Sequence, residues 1–269
     1  MPIHPDLAHD EMYDALVVGG GINGAGIARD LAGRGYRVLL VERDDLAAHT
    51  SSASTKLIHG GLRYLEQREF RLVRKALQER ELLLRSAPHI MWPLRFVLPH
   101  EPGMRPAWLI RTGLWLYDHL AHRALLPPSR AINLRQHPAG RALQPRLQRG
   151  FEYSDGWVDD ARLVVLAAVD AQARGATVCT RTACIAAQRQ AKHWTVTLQG
   201  ALGAQQPVPV QVQARVLVNA AGPWAEQFLR QIAQPAQGES LVRHHLRLVK
   251  GSHIVVARRL EGEHAYLFQ

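Results

Sequence analysis

Residues 13–43, YDALVVGGGINGAGIARDLAGRGYRVLLVER, decide the fold. Ala15 to Val18 is a short apolar run and reads as a buried parallel strand. Gly19, Gly21 and Gly24 follow at GxGxxG spacing, and a helical stretch runs from Ala25 to Gly33. A second apolar run, Val38 to Val41, ends in Glu42. In this order the glycine spacing identifies a dinucleotide-binding βαβ unit. Gly19 allows the tight turn out of the strand, Gly21 lets a pyrophosphate approach the backbone, and Gly24 lets the helix pack closely on the sheet. The helix N-terminus presents unpaired N–H groups and a partial positive charge to the phosphates. Ile22 and Asn23, inside the motif, join the cofactor-binding set. Glu42 lies 18 residues after Gly24. There its carboxylate can accept hydrogen bonds from an adenosine ribose.

The remaining composition suits that reading. A chain of 269 residues holds one large core or two intimate domains. It is 47% hydrophobic and 21% charged, which is globular rather than disordered. The net charge of +10 suits an anionic cofactor, a phosphorylated substrate or an acidic membrane surface. Its arginines are spread along the chain with no compact basic tract, so nucleic acid is not an expected partner. Cys179 and Cys184 are the two cysteines, five apart in one expected strand region. At odd spacing they face opposite sides of a strand, which argues against a bridge. No metal-ligand spacing is present. The N-terminus has no apolar signal-peptide core, and no run of 18 apolar residues spans a membrane. The expected compartment is the cytoplasm, with a membrane surface left open.

Residues 1–12 read as a polar leader. Thr50 to Thr55, TSSAST, is dense in hydroxyls, and KLIHGGLRY follows from Lys56 to Tyr64. Small hydroxyl residues and paired glycines let backbone amides and Oγ atoms reach a ligand. An ordinary Ser/Thr turn with a helix cap explains the same residues. Its place after the βαβ unit favours a cofactor contact. Glu66 to Ser86 is strongly helical, with Phe70, Val73, Leu77 and Leu84 at helical spacing, and reads as scaffold. A strand is expected within residues 89–99. Arg105 to Leu126 reads as a helix with Arg111, Asp118 and His122 on one polar stripe. Its aromatics and arginines suit an interfacial helix, or equally a buried helix of a substrate domain. Residues 127–150 read as loops and residues 150–157 as a strand and turn. Asp159 or Asp160 caps a helix from Ala161 to Arg174. A strand at 177–182 and alternating patterns around Trp194 and Val210 make a β-meander. A buried strand then runs into Asn219-Ala-Ala-Gly222, and residues 246–256 read as a further strand.

Five segments together resemble the FAD-dependent, respiratory glycerol-3-phosphate dehydrogenases. They are VVGGGINGAGIARDLAGRG, TSSASTKLIHGGLRYLE, FEYSDGWVDDARL, VNAAGPW and KGSHIVV. The second is the most specific. The resemblance implies an α/β fold. A Rossmann-like FAD-binding domain of the glycine-oxidase/glutathione-reductase type carries a second, antiparallel-sheet substrate domain. The cofactor domain would take residues 13–88 and 151–240 and the substrate domain 89–150 and 241–269. Members of this family run well beyond this length, so the chain is expected to be an N-terminal portion.

The implied reaction is oxidation of sn-glycerol 3-phosphate to dihydroxyacetone phosphate. The C2 hydride goes to FAD N5, a base takes the hydroxyl proton, and a quinone receives the electrons. By resemblance, Arg63 and Tyr64 sit at the substrate, with Arg63 a planar fork for phosphate oxygens. Ser51, Ser52, Ser54, Thr55 and Lys56 line the flavin or its pyrophosphate, with Leu57 and His59 beside them. Val178 meets the adenine end through its backbone, and Ala221 and Gly222 lie close to the cofactor. His253 is the expected general base or proton relay, on its motif and on imidazole titrating near working pH, and His59 is its competitor. Peripheral attachment to the inner face of the cytoplasmic membrane and a homodimer are compatible with this reading. Three alternatives share parts of the pattern: an NAD(P)-linked dehydrogenase, a related flavoprotein oxidase of an amine or amino acid, and an inactive FAD-binding fragment.

Overall fold

The computed structural model describes residues 12–200, 209–235, 245–257 and 262–268. The leader therefore lies outside the described residues except for Met12. In chain order the elements are β1 (Tyr13–Val18), α1 (Ile22–Gly33), β2 (Val38–Val41), β3 (Leu57–Ile58), α2 (Phe70–Ser86), β4 (Met91–His100), α3 (Ala107–His119), β5 (Arg130–Asn133) and β6 (Arg149–Val158). They continue with α4 (Asp160–Ala173), β7 (Thr177–Cys179), β8 (Thr182–Arg189), β9 (Trp194–Gly200), β10 (Val210–Asn219), α5 (Ala225–Gln231), β11 (Ala233–Gln234) and β12 (His264–Tyr266). The chain divides into two compact units, Met1–Ser54 with Asp160–Ser252, and Thr55–Asp159 with His253–Gln269.

The first unit is built on a seven-stranded sheet of order β11-β8-β9-β10-β1-β2-β7. β1 pairs in parallel with β2 and β10, and β2 with β7. Both faces of the parallel strands are buried, which is why their sequences are continuously apolar rather than alternating. Val17, Val38 and Leu40 point to one face, against Ala28 and Ala32 of α1 and Ala171 of α4. Leu16, Val18, Leu39 and Val41 point to the other, against Val196, Leu198 and Val212 of the antiparallel meander β8-β9-β10. The expected meander is thus present. Its last strand runs straight on as the parallel neighbour of β1, so two expected strands are one.

The second unit holds a five-stranded sheet of order β12-β4-β6-β3, with β5 also paired to β6. β4 and β6 pair antiparallel along their whole length, from Met91 with Val158 to His100 with Arg149. Cross-strand partners stack: Trp92 on Trp157 at 4.2 Å and Phe96 on Tyr153 at 5.2 Å. The sheet is antiparallel as expected except at β12, which runs parallel to β4. Leu114 of α3 is buried with Phe96, Leu98, Phe151 and Tyr153.

Several expectations need correction. The units part at 54/55 and 159/160, not at 88/89 and 150/151, because α2 packs Val73 and Leu77 on Tyr117 of α3 and β6 belongs wholly with β4. Residues 154–156 are not a turn but the middle of β6, where Asp155 is buried and hydrogen-bonded. β5 lies in the stretch read as loop. α2 starts at Phe70 rather than Glu66, after a turn in which Arg68 has φ +60°. α3 ends at His119, so His122 is outside the helix, while Asp118 binds Ser129 and Arg123. Cys179 and Cys184 lie on two different strands, separated by a turn with Arg181 at φ +53°. Residues 245–257 form no strand, although 246–256 read as one. Apolar β-formers alone supply no hydrogen-bonding neighbour, and Val255 is fully exposed.

Candidate functional site

The end of β1 enters a turn that only glycine can make. Gly19 has φ +112°, and a Cβ there would lie 2.4 Å from the Ala220 carbonyl oxygen. A Cβ on Gly24 would lie 1.8 Å from the Gly19 carbonyl oxygen, so close packing at the start of α1 excludes any side chain. α1 has no side-chain cap of its own at Gly21. Ser51 supplies the missing acceptor: its Oγ takes the Ile22 N–H at 2.9 Å.

Glu42 ends β2 and faces back to the turn. One carboxylate oxygen accepts the Gly20 N–H at 2.6 Å and the other the Asp44 N–H at 2.8 Å. Its own carbonyl accepts the Thr182 N–H at 2.7 Å, and its N–H donates to Cys179 at 2.9 Å. The residue that was expected to meet a ribose is therefore locked by four backbone links. Its carboxylate still has lone pairs beyond the two in use.

These elements frame a cleft of about 190 Å³. Gly19, Gly21, Glu42, Ser51, Ala221 and Gly222 line it. Asn219 shapes the last of these, accepting the Ala221 N–H at 3.2 Å and donating to Ala225 at 2.8 Å. Trp224 forms a wall that sequence reading missed. The Arg43 guanidinium lies 4.4 Å from its ring centroid, and His49 packs edge-on at 4.7 Å. Asp44 holds both through its carboxylate, at 2.7 Å to His49 Nε2 and 3.1 Å to Arg43 Nε. The hydrogen bond from His49, with Arg43 adding to it, holds the Asp44 carboxyl below its ordinary range. Trp224 ends the VNAAGPW segment and Arg43 follows Glu42, which were the available signals.

The neighbouring expected residues make contacts within the protein. Ser52 Oγ donates to the His49 carbonyl at 3.1 Å, and Ser54 Oγ donates to Asp160 at 2.7 Å. Asp160 opens α4 and also accepts the Ala161 N–H, as a helix-starting acid should. Val178 packs its side chain among the helices, and Thr182, Ala183 and Cys184 line the cleft from that part of the chain.

The rest of the expected set belongs to the second unit. Lys56 has φ +56°, and its carbonyl accepts the Val158 N–H at 3.0 Å. Leu57 and Ile58 pair with Trp157 and Gly156. His59 Nδ1 accepts the Gly61 N–H at 3.0 Å. Arg63 and Tyr64 ride on a short 3₁₀ helix, Leu62–Leu65, and both are exposed. His253 lies in the exposed extended stretch 245–257, away from any strand pairing among the described residues.

A buried charged cluster was also missed. Arg80 and Glu81 of α2 are 3% and 6% exposed, so the helix read as scaffold carries charge into the interior. Both fall on the Val73–Leu77–Leu84 stripe, and that position was the signal. Glu152 is a second buried acid, held at 2.6 Å by both Arg95 and Arg130 and at 3.1 Å by His264. His137, Glu152 and His264 place metal-ligand atoms within 4.8 Å of one another, as do Glu42, Asp44 and His49. Two guanidiniums already neutralise Glu152, and His137 Nδ1 accepts the Ala139 N–H, which disfavours a cation there.

A glycine turn at a helix N-terminus, an acid ending the second parallel strand and a meander on the sheet define a dinucleotide-binding oxidoreductase fold. The donor set fits FAD: helix N–H groups and a serine hydroxyl for the pyrophosphate, a carboxylate for the ribose, and small residues at 221–222. The chain belongs to the FAD dependent oxidoreductase family, whose description matches residues 14–268. It is 55% identical over 265 residues to a glycerol-3-phosphate dehydrogenase of Pseudomonas aeruginosa, covering 98% of this chain and 49% of that protein. It is 52% identical over 263 residues to a D-erythritol 1-phosphate dehydrogenase of Brucella abortus, covering 98% of this chain and 51% of that protein. Among solved structures, glycerol-3-phosphate dehydrogenase from Bacillus halodurans complexed with FAD matches with a TM-score of 0.61 at 28% identity. That match covers 83% of this chain and 37% of the other. The chain thus spans about half the length of the curated relatives it matches. Among the described residues no helix is long and apolar enough to cross a membrane.

Proposed function

We propose that this chain acts in the flavin-dependent oxidation of sn-glycerol 3-phosphate to dihydroxyacetone phosphate. The observation that carries this reading is the 55% identity to a glycerol-3-phosphate dehydrogenase across 98% of the chain. FAD, when bound, supplies the hydride acceptor. Gly19, Gly21, Ile22, Asn23, Gly24 and Ser51 would hold its pyrophosphate and Glu42 its ribose, with Trp224 walling the cleft. Arg63 offers two parallel N–H donors to the substrate phosphate, and Tyr64 stands beside it. The base for the C2 hydroxyl proton is His253. His59 is disfavoured in that role, because a ring whose Nδ1 accepts a backbone N–H carries its neutral-state proton on Nε2 and has no free acceptor. His59 instead offers a hydrogen bond. Electrons leave to a quinone, and the protein works as a homodimer on the inner face of the cytoplasmic membrane.

The Brucella abortus relative supports a second reading with a longer polyol phosphate as substrate. One experiment addresses both. The purified chain is examined for a flavin absorbance spectrum, then mixed without oxygen with sn-glycerol 3-phosphate or D-erythritol 1-phosphate. Faster bleaching with the first supports the proposal, and faster bleaching with the second supports the alternative. A flavin spectrum that neither bleaches leaves a cofactor-binding fragment. Folded protein without flavin removes the reading.

A further inference from the structure

Four buried polar side chains of the second unit have no part in the chemistry above: Arg80, Glu81, Tyr117 and Asp155. Each is 6% exposed or less. Arg80 Nη1 donates to Asp155 Oδ1 at 2.6 Å and to the Ser154 carbonyl at 3.4 Å. The Tyr117 hydroxyl donates to the same Asp155 oxygen at 2.8 Å. That hydroxyl also accepts the Gly60 N–H at 2.7 Å. Glu81 accepts the N–H groups of Ala124 and Leu125, at 3.1 and 3.3 Å, and its other oxygen lies 3.6 Å from Arg80. One network therefore joins α2, α3, β6 and the turn at His59–Gly61. A buried ion pair seldom adds net stability over an apolar replacement.

The turn it reaches is the one that launches Arg63 and Tyr64. Gly60 is bonded to Tyr117, Gly61 has φ +69° and donates to His59 Nδ1, and the 3₁₀ helix begins at the next residue. We propose that Tyr117, anchored by Asp155 and Arg80, is a positioning residue that fixes the His59–Gly61 turn, holds His59 in its Nε2–H tautomer and sets Arg63 and Tyr64 for the substrate phosphate. Asp155 directs the Tyr117 proton toward itself, which leaves the phenolic lone pairs to accept from Gly60. Burial pushes the Tyr117 hydroxyl well above its ordinary range, so it stays a neutral donor. A preset turn also spares the cost of ordering these side chains when substrate arrives. This inference rests on the reading that Arg63 and Tyr64 meet the substrate.

The test is Tyr117→Phe in the full chain with FAD, a change that keeps the ring against Val73 and Leu77. Histidine ¹⁵N shifts report the His59 tautomer, and sn-glycerol 3-phosphate affinity reports the site. The flavin spectrum and a thermal melt confirm folding. The expected result is a mixed-tautomer signal for His59 and an affinity loss of about tenfold, the size of one lost hydrogen bond. An unchanged His59 signal overturns the inference. So does an unchanged affinity when Arg63→Ala weakens binding. Folded wild-type chain that binds no sn-glycerol 3-phosphate sinks the functional reading, and this inference with it. A merely structural role for Tyr117 would lower the melting temperature without moving the tautomer.

Discussion

The Glu42 carboxylate and the Gly20 N–H meet at 2.6 Å, so the residue that ends one strand locks the turn that leaves its neighbour. Glu42→Gln leaves only one oxygen for two N–H donors and turns an amide NH₂ toward the other. We expect a loss of about 2 kcal/mol in urea unfolding, the size of a charge-assisted hydrogen bond in a buried place. Flavin affinity should fall with it. A variant as stable as the parent would show that the two bonds contribute nothing net.

Two glycines of α1 should answer oppositely. Gly24→Ala forces a Cβ into the Gly19 carbonyl and should cost about 3 kcal/mol and abolish flavin binding. Gly26 is exposed and has nothing within 4 Å of an added Cβ. Gly26→Ala should gain about 0.5–1 kcal/mol through helix propensity. Thermal melts of the pair decide, and equal effects would refute the close approach.

Glu152 should give the chain an acid-sensitive step. Burial pushes its carboxyl up, but the hydrogen bonds from Arg95 and Arg130 outweigh that and bring it down to about 2. Its folded value is thus below its unfolded value, so its stabilisation is full above about pH 4.5 and fades as pH falls toward 2. Glu152→Gln should flatten the stability–pH profile between those limits. At neutral pH it should cost about 2 kcal/mol, less than for a fully enclosed pair because Arg130 can rehydrate. A variant with the parent's acid slope would assign the step to another group.

Both thiols should be silent in the native protein. Burial pushes Cys179 up to about 11 and Cys184 up to about 12, so neither carries appreciable thiolate at neutral pH. An aromatic disulfide reagent at pH 8 should label neither until denaturant exposes both. Prompt labelling of Cys184 would mean that the cleft opens to its floor.

The first βαβ unit was legible because its signals are local. The apolar runs at 15–18 and 38–41 and the three glycines each state a backbone requirement within a few residues, and Gly19 and Gly24 meet those requirements. The meander was legible for the same reason, since Val196, Leu198 and Val212 alternate into the core. Ser51 was legible only as a member of a hydroxyl-rich run, and its capping of Ile22, 29 residues away, was not.

What the sequence alone determined is therefore the kind of each strong element, the dinucleotide turn and the acid that follows it, because steric and periodic constraints act over short stretches. The tertiary structure decided the rest. It put Asp155 inside a strand rather than in a turn, and drew Arg80 and Tyr117 onto it from two helices. It left residues 245–257 without a strand, and moved the unit boundary to 54/55. Strand partners and the pairing of buried charges depend on groups tens of residues apart. The free energy of each group depends on which neighbour displaces its water, and no local pattern records that.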